Sequence, residues 1–215
     1  PVLYDSGFHF FSMLQSLEIA GLALVTGAAT AAGKPLMANG ANLAYEKKVF
    51  YETKGFENDP YTSGDDLLLL QRVYQLYPGG IYFLKSRAAT VFTGAQKTIS
   101  GFFNQRKRWA SKYRAFRLPF LKTAAFLVFF INLLLLLLAA GLCGSAKLVE
   151  PFLVLVCTKI SIDFLLLSLA ASFFGKRHLL FVFLIALPCY SLYVVASTAG
   201  GMGGSFRWKG RLTKK

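Results

Sequence analysis

Acidic residues are scarce in this chain. Ten Asp and Glu stand against 24 Lys and Arg, for a formal charge of +14 over 215 residues. Cysteine is rarer still: Cys143, Cys157 and Cys189 lie in or beside apolar runs without any Cys-x-x-Cys spacing, which excludes a disulfide framework and a cysteine zinc site and leaves them as small apolar fillers. His9 and His178 have no companion ligands nearby in sequence, so neither nominates a metal centre or a proton shuttle. The chain opens on Pro1 and lacks the basic, apolar and small-residue zones of a signal peptide. The expectation is therefore a piece of a longer protein whose amino-terminal part lies upstream.

What is abundant is apolar surface. A hydrophobic fraction of 55% and a mean hydropathy of +0.49 point to a membrane protein. The positive charge raises the question of nucleic acid, but Lys and Arg gather at the edges of apolar runs, where anionic headgroups attract them at about 1 kcal/mol each. The partner they indicate is the membrane surface, with no nucleic acid. Three stretches, 118–142, 152–174 and 179–199, are long and apolar enough to span, the last interrupted by Pro188. The second contains Lys159 and Asp163 four residues apart; at mid-bilayer each would cost roughly 2.5–3.5 kcal/mol, so a mutual ion pair is expected. Topology conflicts with charge. The basic residues of 106–122, Lys176 with Arg177, and the basic tail over 200–215 should share the cytoplasmic face, yet three full spans put the tail on the other side. Either the rule fails at the tail or the Pro188 segment does not cross.

Ahead of the spans, residues 1–96 read as part of an α/β domain. A helical pattern covers 8–30, broken by Glu18 and small residues, too short and too polar for a span. A strand over 35–38 leads into Asn39-Gly40-Ala41-Asn42, whose residue types suit a turn, then a helix near 46–53. A loop delivers the chain to Ser63-Gly64-Asp65-Asp66, where Ser63 and Asp66 match a capping box and both aspartates suit the positive end of a helix running to Tyr77. Pro78-Gly79-Gly80 stops it, and 81–84 and 88–92 read as strands. Residues 97–117 then form an interfacial amphipathic helix: Ile99, Phe102, Phe103, Trp109, Tyr113 and Phe116 share a face roughly opposite Lys107, Ser111 and Arg114. Gln105, Arg108 and Trp109 project from neighbouring positions, either as membrane anchors or as a binding group.

Taken together, Asn39-Gly40-Ala41-Asn42-Leu43-Ala44-Tyr45, Gly64-Asp65-Asp66 and Gln105-x-x-Arg108-Trp109 ahead of membrane spans closely resemble the membrane-bound glycosyltransferases of family 2. These are GT-A type enzymes related to cellulose, hyaluronan and poly-N-acetylglucosamine synthases and to ceramide glucosyltransferases. Trp208-Lys209-Gly210-Arg211 also looks like the end of such bacterial proteins. The resemblance implies that Asp66 is the catalytic base of an inverting transfer, with Asp65 standing where the family usually has Glu. It implies that Gln105 and Arg108 hold the diphosphate leaving group, that Trp109 stacks on the acceptor sugar or closes the site, and that Asn39, Gly40 and Asn42 border the acceptor.

The resemblance also implies a nucleotide-sugar donor, a lipid or glycan acceptor in polysaccharide or glycolipid biosynthesis of the cell envelope, and a multi-pass protein of the inner membrane whose catalytic part faces the cytoplasm. The family's Asp-x-Asp, which holds a divalent Mg or Mn on the diphosphate, occurs nowhere here. Its ligands are expected outside this chain, in a missing amino-terminal half, so that the chain alone is expected to be inactive. The competing expectation is a non-catalytic membrane scaffold or transporter subunit in which Lys159 and Asp163 carry the function.

Overall fold

The computed structural model describes residues 1–57, 64–203, 206–208 and 211–213 of the chain. Described elements run in the order β1 (Val2–Asp5), α1 (Phe10–Ala31), α2 (Lys47–Glu52), α3 (Asp65–Leu76), β2 (Val91–Gly94), α4 (Ile99–Ser111), α5 (Pro119–Gly141), α6 (Val149–Phe174), α7 (Leu180–Gly203), β3 (Phe206–Trp208) and β4 (Arg211–Thr213). The chain is mostly helical.

β1 and β2 form a parallel pair in register from Val2 opposite Val91 to Asp5 opposite Gly94. Sequence patterning misses β1, because four residues carry too little periodicity and the partner lies 89 positions away. Of the expected strands over 81–84 and 88–92, only the end of the second becomes ladder, as β2; 35–38 and 81–84 stay irregular. They are apolar for another reason. Leu36, Ala38 and Ile81 pack against the buried trio Leu67, Leu70 and Leu121 instead of against a strand. The α/β character thus rests, in this part of the chain, on one parallel pair.

Three helices are long and apolar enough to cross a membrane: Phe10–Ala31, Pro119–Gly141 and Ala146–Phe174, with mean hydropathies of 1.4, 2.6 and 2.1. The first corrects the expectation that this stretch is too short and polar to qualify. It is 22 residues long, and its polar groups are taken up by specific partners. Gln15 donates to the Gln96 carbonyl at 3.0 Å and accepts from the Gln96 amide at 2.9 Å, while Ser16 donates to the Tyr4 carbonyl at 2.9 Å. Leu3, Tyr4, Ile19, Ala20, Ala170 and Phe174 make a buried core joining β1, α1 and α6. Full burial of a side chain such as Leu3 is worth about 1.5–3 kcal/mol.

The expected third span is not a straight helix. Arg177–Leu187 and Cys189–Gly201 meet at 80°, so together they are a broken span or a re-entrant loop. Beyond the bend the chain packs on α4: a Cβ on Gly200 would lie 2.7 Å from Lys107 Cε, and one on Gly201 would lie 2.6 Å from Ala110 Cβ. Polar contacts also gather just past the bend. Ser191 donates to Asn132 of α5 at 2.9 Å, and the Tyr190 ring lies 5.0 Å from Lys159 Nζ of α6. Lys159 and Asp163 form the ion pair their spacing predicts.

Candidate active site

Site geometry begins with α3. Gly64 precedes it at φ 98°, in the left-handed region, and Lys112 lies across it so closely that a Cβ there would meet Lys112 Cε at 2.9 Å. Asp65 and Asp66 occupy the first helical turn, where the helix dipole favours carboxylates. Ser63, the expected capping residue, lies outside the described residues; Asp66 accepts from the Leu67 amide at 2.8 Å. Farther along α3, buried Gln71 accepts from the Arg117 amide at 2.6 Å and donates to the Ala115 carbonyl at 3.2 Å. With the Leu67, Leu70 and Leu121 contacts, these bonds fix the helix bearing Asp66 against the connection between α4 and α5.

Two more pieces converge on Asp66. The Gly40 amide donates to Asp66 Oδ2 at 3.1 Å, and a Cβ on Gly40 would stand 3.8 Å from that same oxygen. Lys112 Nζ lies 3.6 Å from Asp66 Oδ1, with both side chains largely buried. Burial lowers the pKa of Lys112, as does nearby Arg108, against the opposing pull of Asp66. Arg108 is also held below the usual arginine value by burial, opposed by Asp66, Tyr4 and Asp65. Arg108 and Lys112 are one turn apart on the same helical path, so both cations serve the Asp65–Asp66 end of α3.

The turn residues have separate tasks. Asn39 Oδ1 accepts from the Ala41 amide at 3.1 Å, closing an Asx turn that presents the Gly40 N–H. Asn42 donates to the Pro1 carbonyl at 2.7 Å and to the Ala89 carbonyl at 2.8 Å, clasping the start of β1 to the approach to β2. Gly40 therefore touches Asp66, whereas Asn39 and Asn42 shape the loop around that contact.

α4 starts on the Thr98 cap, whose hydroxyl accepts from the Gly101 amide at 3.1 Å, and it divides the basic motif between two faces. Gln105, Arg108 and Lys112 fall on one stripe, with Gln105 Nε2 3.4 Å from the Tyr4 hydroxyl. Phe102, Arg106 and Trp109 fall on the other and turn toward α1 and α7. Phe102 meets the rings of Phe11 at 5.4 Å and Tyr193 at 5.1 Å, so much of the apolar face expected to lie in lipid is covered by protein. Trp109 packs against the β1–α1–α6 core, and one face of its indole carries the Arg106 guanidinium at 4.3 Å.

Arg106 is the residue that spacing arguments overlook. It is 4% exposed and donates to Glu18 at 2.5 Å and to the Tyr193 hydroxyl at 2.8 Å, while Tyr193 donates to Glu18 at 2.7 Å. Burial is the largest single influence and opposes the charge of Arg106, but Glu18, Tyr193 and Tyr4 together outweigh it and hold the guanidinium above its ordinary pKa. The one available signal was Glu18 itself: a lone carboxylate in an apolar helix requires a partner. Lys112 had a comparable signal in its position four residues after Arg108.

Residues 1–195 match the family model described as glycosyl transferase family group 2. The chain belongs to that family. No curated protein and no solved structure matches it. With three helices long and apolar enough to cross a bilayer, it is a membrane member of a transferase family. Among the described residues no three His, Cys, Asp or Glu side chains gather where they could hold a metal ion. Asp66 is engaged by the Gly40 amide and by Lys112.

Proposed function

We propose that the chain supplies the acceptor side and the membrane part of an inverting glycosyltransferase. The enzyme moves a sugar from a nucleotide-sugar donor to a lipid or glycan acceptor at the cytoplasmic face of the inner membrane. The observation that carries this reading is the meeting of three separated motifs on one carboxylate. Asp66 is bonded by Gly40, paired with Lys112 and under the field of Arg108.

An acceptor hydroxyl bound beside Asp66 gives its proton to the carboxylate as its oxygen forms the new bond to the anomeric carbon. The bond from that carbon to the diphosphate breaks, and its electron pair leaves with the diphosphate. Arg108 and Lys112 supply positive charge for the departing group, Arg108 with the fork geometry that suits phosphate oxygens. Gln105 adds amide donors, Trp109 closes the inner side of the site, and Asp65 adds negative field that keeps Arg108 in place. One displacement with one base inverts the anomeric configuration. A divalent ion on the donor diphosphate would take its ligands outside the residues described here.

The test is sugar transfer in membranes from cells expressing the complete coding sequence, across a panel of nucleotide sugars. Asp66→Asn should remove transfer by about 100-fold or more with protein level unchanged, and Arg108→Ala should do the same mainly through donor binding. Transfer that persists in Asp66→Asn overturns the reading. A non-catalytic scaffold makes the opposite forecast, with Asp66→Asn silent and paired Lys159→Leu and Asp163→Leu disabling.

A further inference from the structure

Arg106 neither faces Asp66 nor belongs to the stripe formed by Gln105, Arg108 and Lys112. Each edge of its guanidinium is nonetheless occupied. One edge donates to Glu18 of α1, Nε donates to Tyr193 of α7, and the remaining nitrogen donates to the side-chain oxygen of Gln105 at 2.5 Å. Its faces lie 4.4 Å from the Phe102 ring and 4.3 Å from the Trp109 ring. Glu18 is only 14% exposed in its side chain and balances the buried charge.

The bond to Gln105 has a directional consequence. An amide side chain offers one acceptor end and one donor end. Because Arg106 holds the Gln105 oxygen, the Gln105 nitrogen must face away from Arg106, and it points to the Tyr4 hydroxyl. A diphosphate accepts hydrogen bonds and donates none at neutral pH, so only this orientation of Gln105 serves it. The same guanidinium lies flat on Trp109 and so limits the swing of that ring.

We infer that Arg106, held by Glu18 and Tyr193, is a positioning residue for diphosphate recognition: it orients the Gln105 amide as a donor and seats Trp109. The inference rests on the transferase reading above and goes beyond it by assigning a role to three residues outside the family pattern. Arg106 touches no substrate in this arrangement. It acts through its neighbours.

The experiment measures donor KM, kcat and inhibition by the product nucleoside diphosphate in membranes carrying the complete protein. Arg106→Lys keeps the charge opposite Glu18 but cannot bond Gln105, Tyr193 and Glu18 at once. It should raise donor KM and weaken diphosphate inhibition about 10- to 100-fold, the share of a charge-assisted hydrogen bond, with a smaller change in kcat. Gln105→Glu, which removes the outward donor and leaves Arg106 paired, should reproduce the loss of diphosphate inhibition. In a Gln105→Ala background, Arg106→Lys should add little further change, because the two act in series.

If Arg106→Lys reduces folded protein, Tyr193→Phe, which removes one bond to Arg106, supplies the same comparison in a milder form. Native diphosphate inhibition in folded Arg106→Lys or Tyr193→Phe, or full additivity with Gln105→Ala, overturns the inference. Asp66→Asn run alongside separates the two failures: if it stays active the transferase reading itself falls, and if it is inactive while Arg106→Lys behaves as native, only the positioning role falls.

Discussion

Gly64 combines two demands in one position: a left-handed backbone at φ 98° and no Cβ beneath Lys112. Gly64→Ala should cost about 1–2 kcal/mol from the backbone alone and also displace Lys112 from Asp66. Thermal unfolding in detergent together with transfer activity would check it, and an alanine variant with native values for both would remove Gly64 from the argument. Lys112 carries a pH dependence of definite sign. Burial depresses its pKa, so the unfolded chain binds that proton more tightly than the folded one. The cost of burying the charge is fully present below the depressed value, and stability rises with pH from there to about the ordinary lysine value of 10.5. Across that window native protein should therefore gain thermal stability relative to Lys112→Met, while activity that needs the charge declines. A falling relative stability would mean that the ion pair with Asp66 outweighs burial. At this scale the sequence was informative about residue types and poor about tasks. The Asn39 and Asn42 turn chemistry was readable from composition, but that Gly40 delivers its amide to Asp66 depends on a contact across 26 positions.

Among the elements, α4 is where local pattern and tertiary packing diverge. Its amphipathicity was legible over 97–117, and the helix forms over Ile99–Ser111 with a 3-10 turn continuing to Ala115. What periodicity could not tell was that its apolar stripe meets α1 and α7, since the same stripe serves lipid and protein alike. The approach of α7 to α4 depends on the absence of side chains at Gly200 and Gly201. Gly201→Val would press against Ala110 and the Lys107 carbonyl, 2.6 and 2.7 Å from the new Cβ. Overpacking of this kind costs about 1–3 kcal/mol, and the expected outcome is a lower thermal midpoint and partial loss of transfer, because the stripe carrying Gln105 and Arg108 shifts with it. Unchanged stability would show that the two helices part without consequence. The strands tell the reverse story: β2 was half visible over 88–92, but β1 was invisible because a short parallel strand is defined by its partner and not by its own pattern.

Considered whole, a re-entrant segment after the bend would reconcile the conflict that charge counting exposed. α5 and α6 run out and back, and the 80° bend between Leu187 and Cys189 lets the next segment turn and set Gly200 and Gly201 against α4, the helix that precedes α5. The spans of 118–142 and 152–174 were legible to within a few residues at most ends, because twenty or so apolar residues announce themselves. The bend was legible in part, because Pro188 marked an interruption, but its 80° angle could not be read from the sequence. A labelling experiment checks the arrangement. In a background with Cys143, Cys157 and Cys189 replaced, a cysteine appended after Lys215 should be shielded from impermeant maleimide in intact cells, while Ser145→Cys should react. Equal labelling of both would make α7 a full crossing.

Such a return changes what membrane insertion has to accomplish. On that arrangement, from α4 onward only the connection over 142–148 and the first turn of α6, with Lys147 and Glu150 as their formal charges, must be carried through the bilayer to the far side. The cations around the candidate site and Lys176 with Arg177 would stay in the compartment in which they are synthesised. Translocation of a charged segment, the costly event in the biogenesis of such a protein, would then be reduced to one lysine and one glutamate.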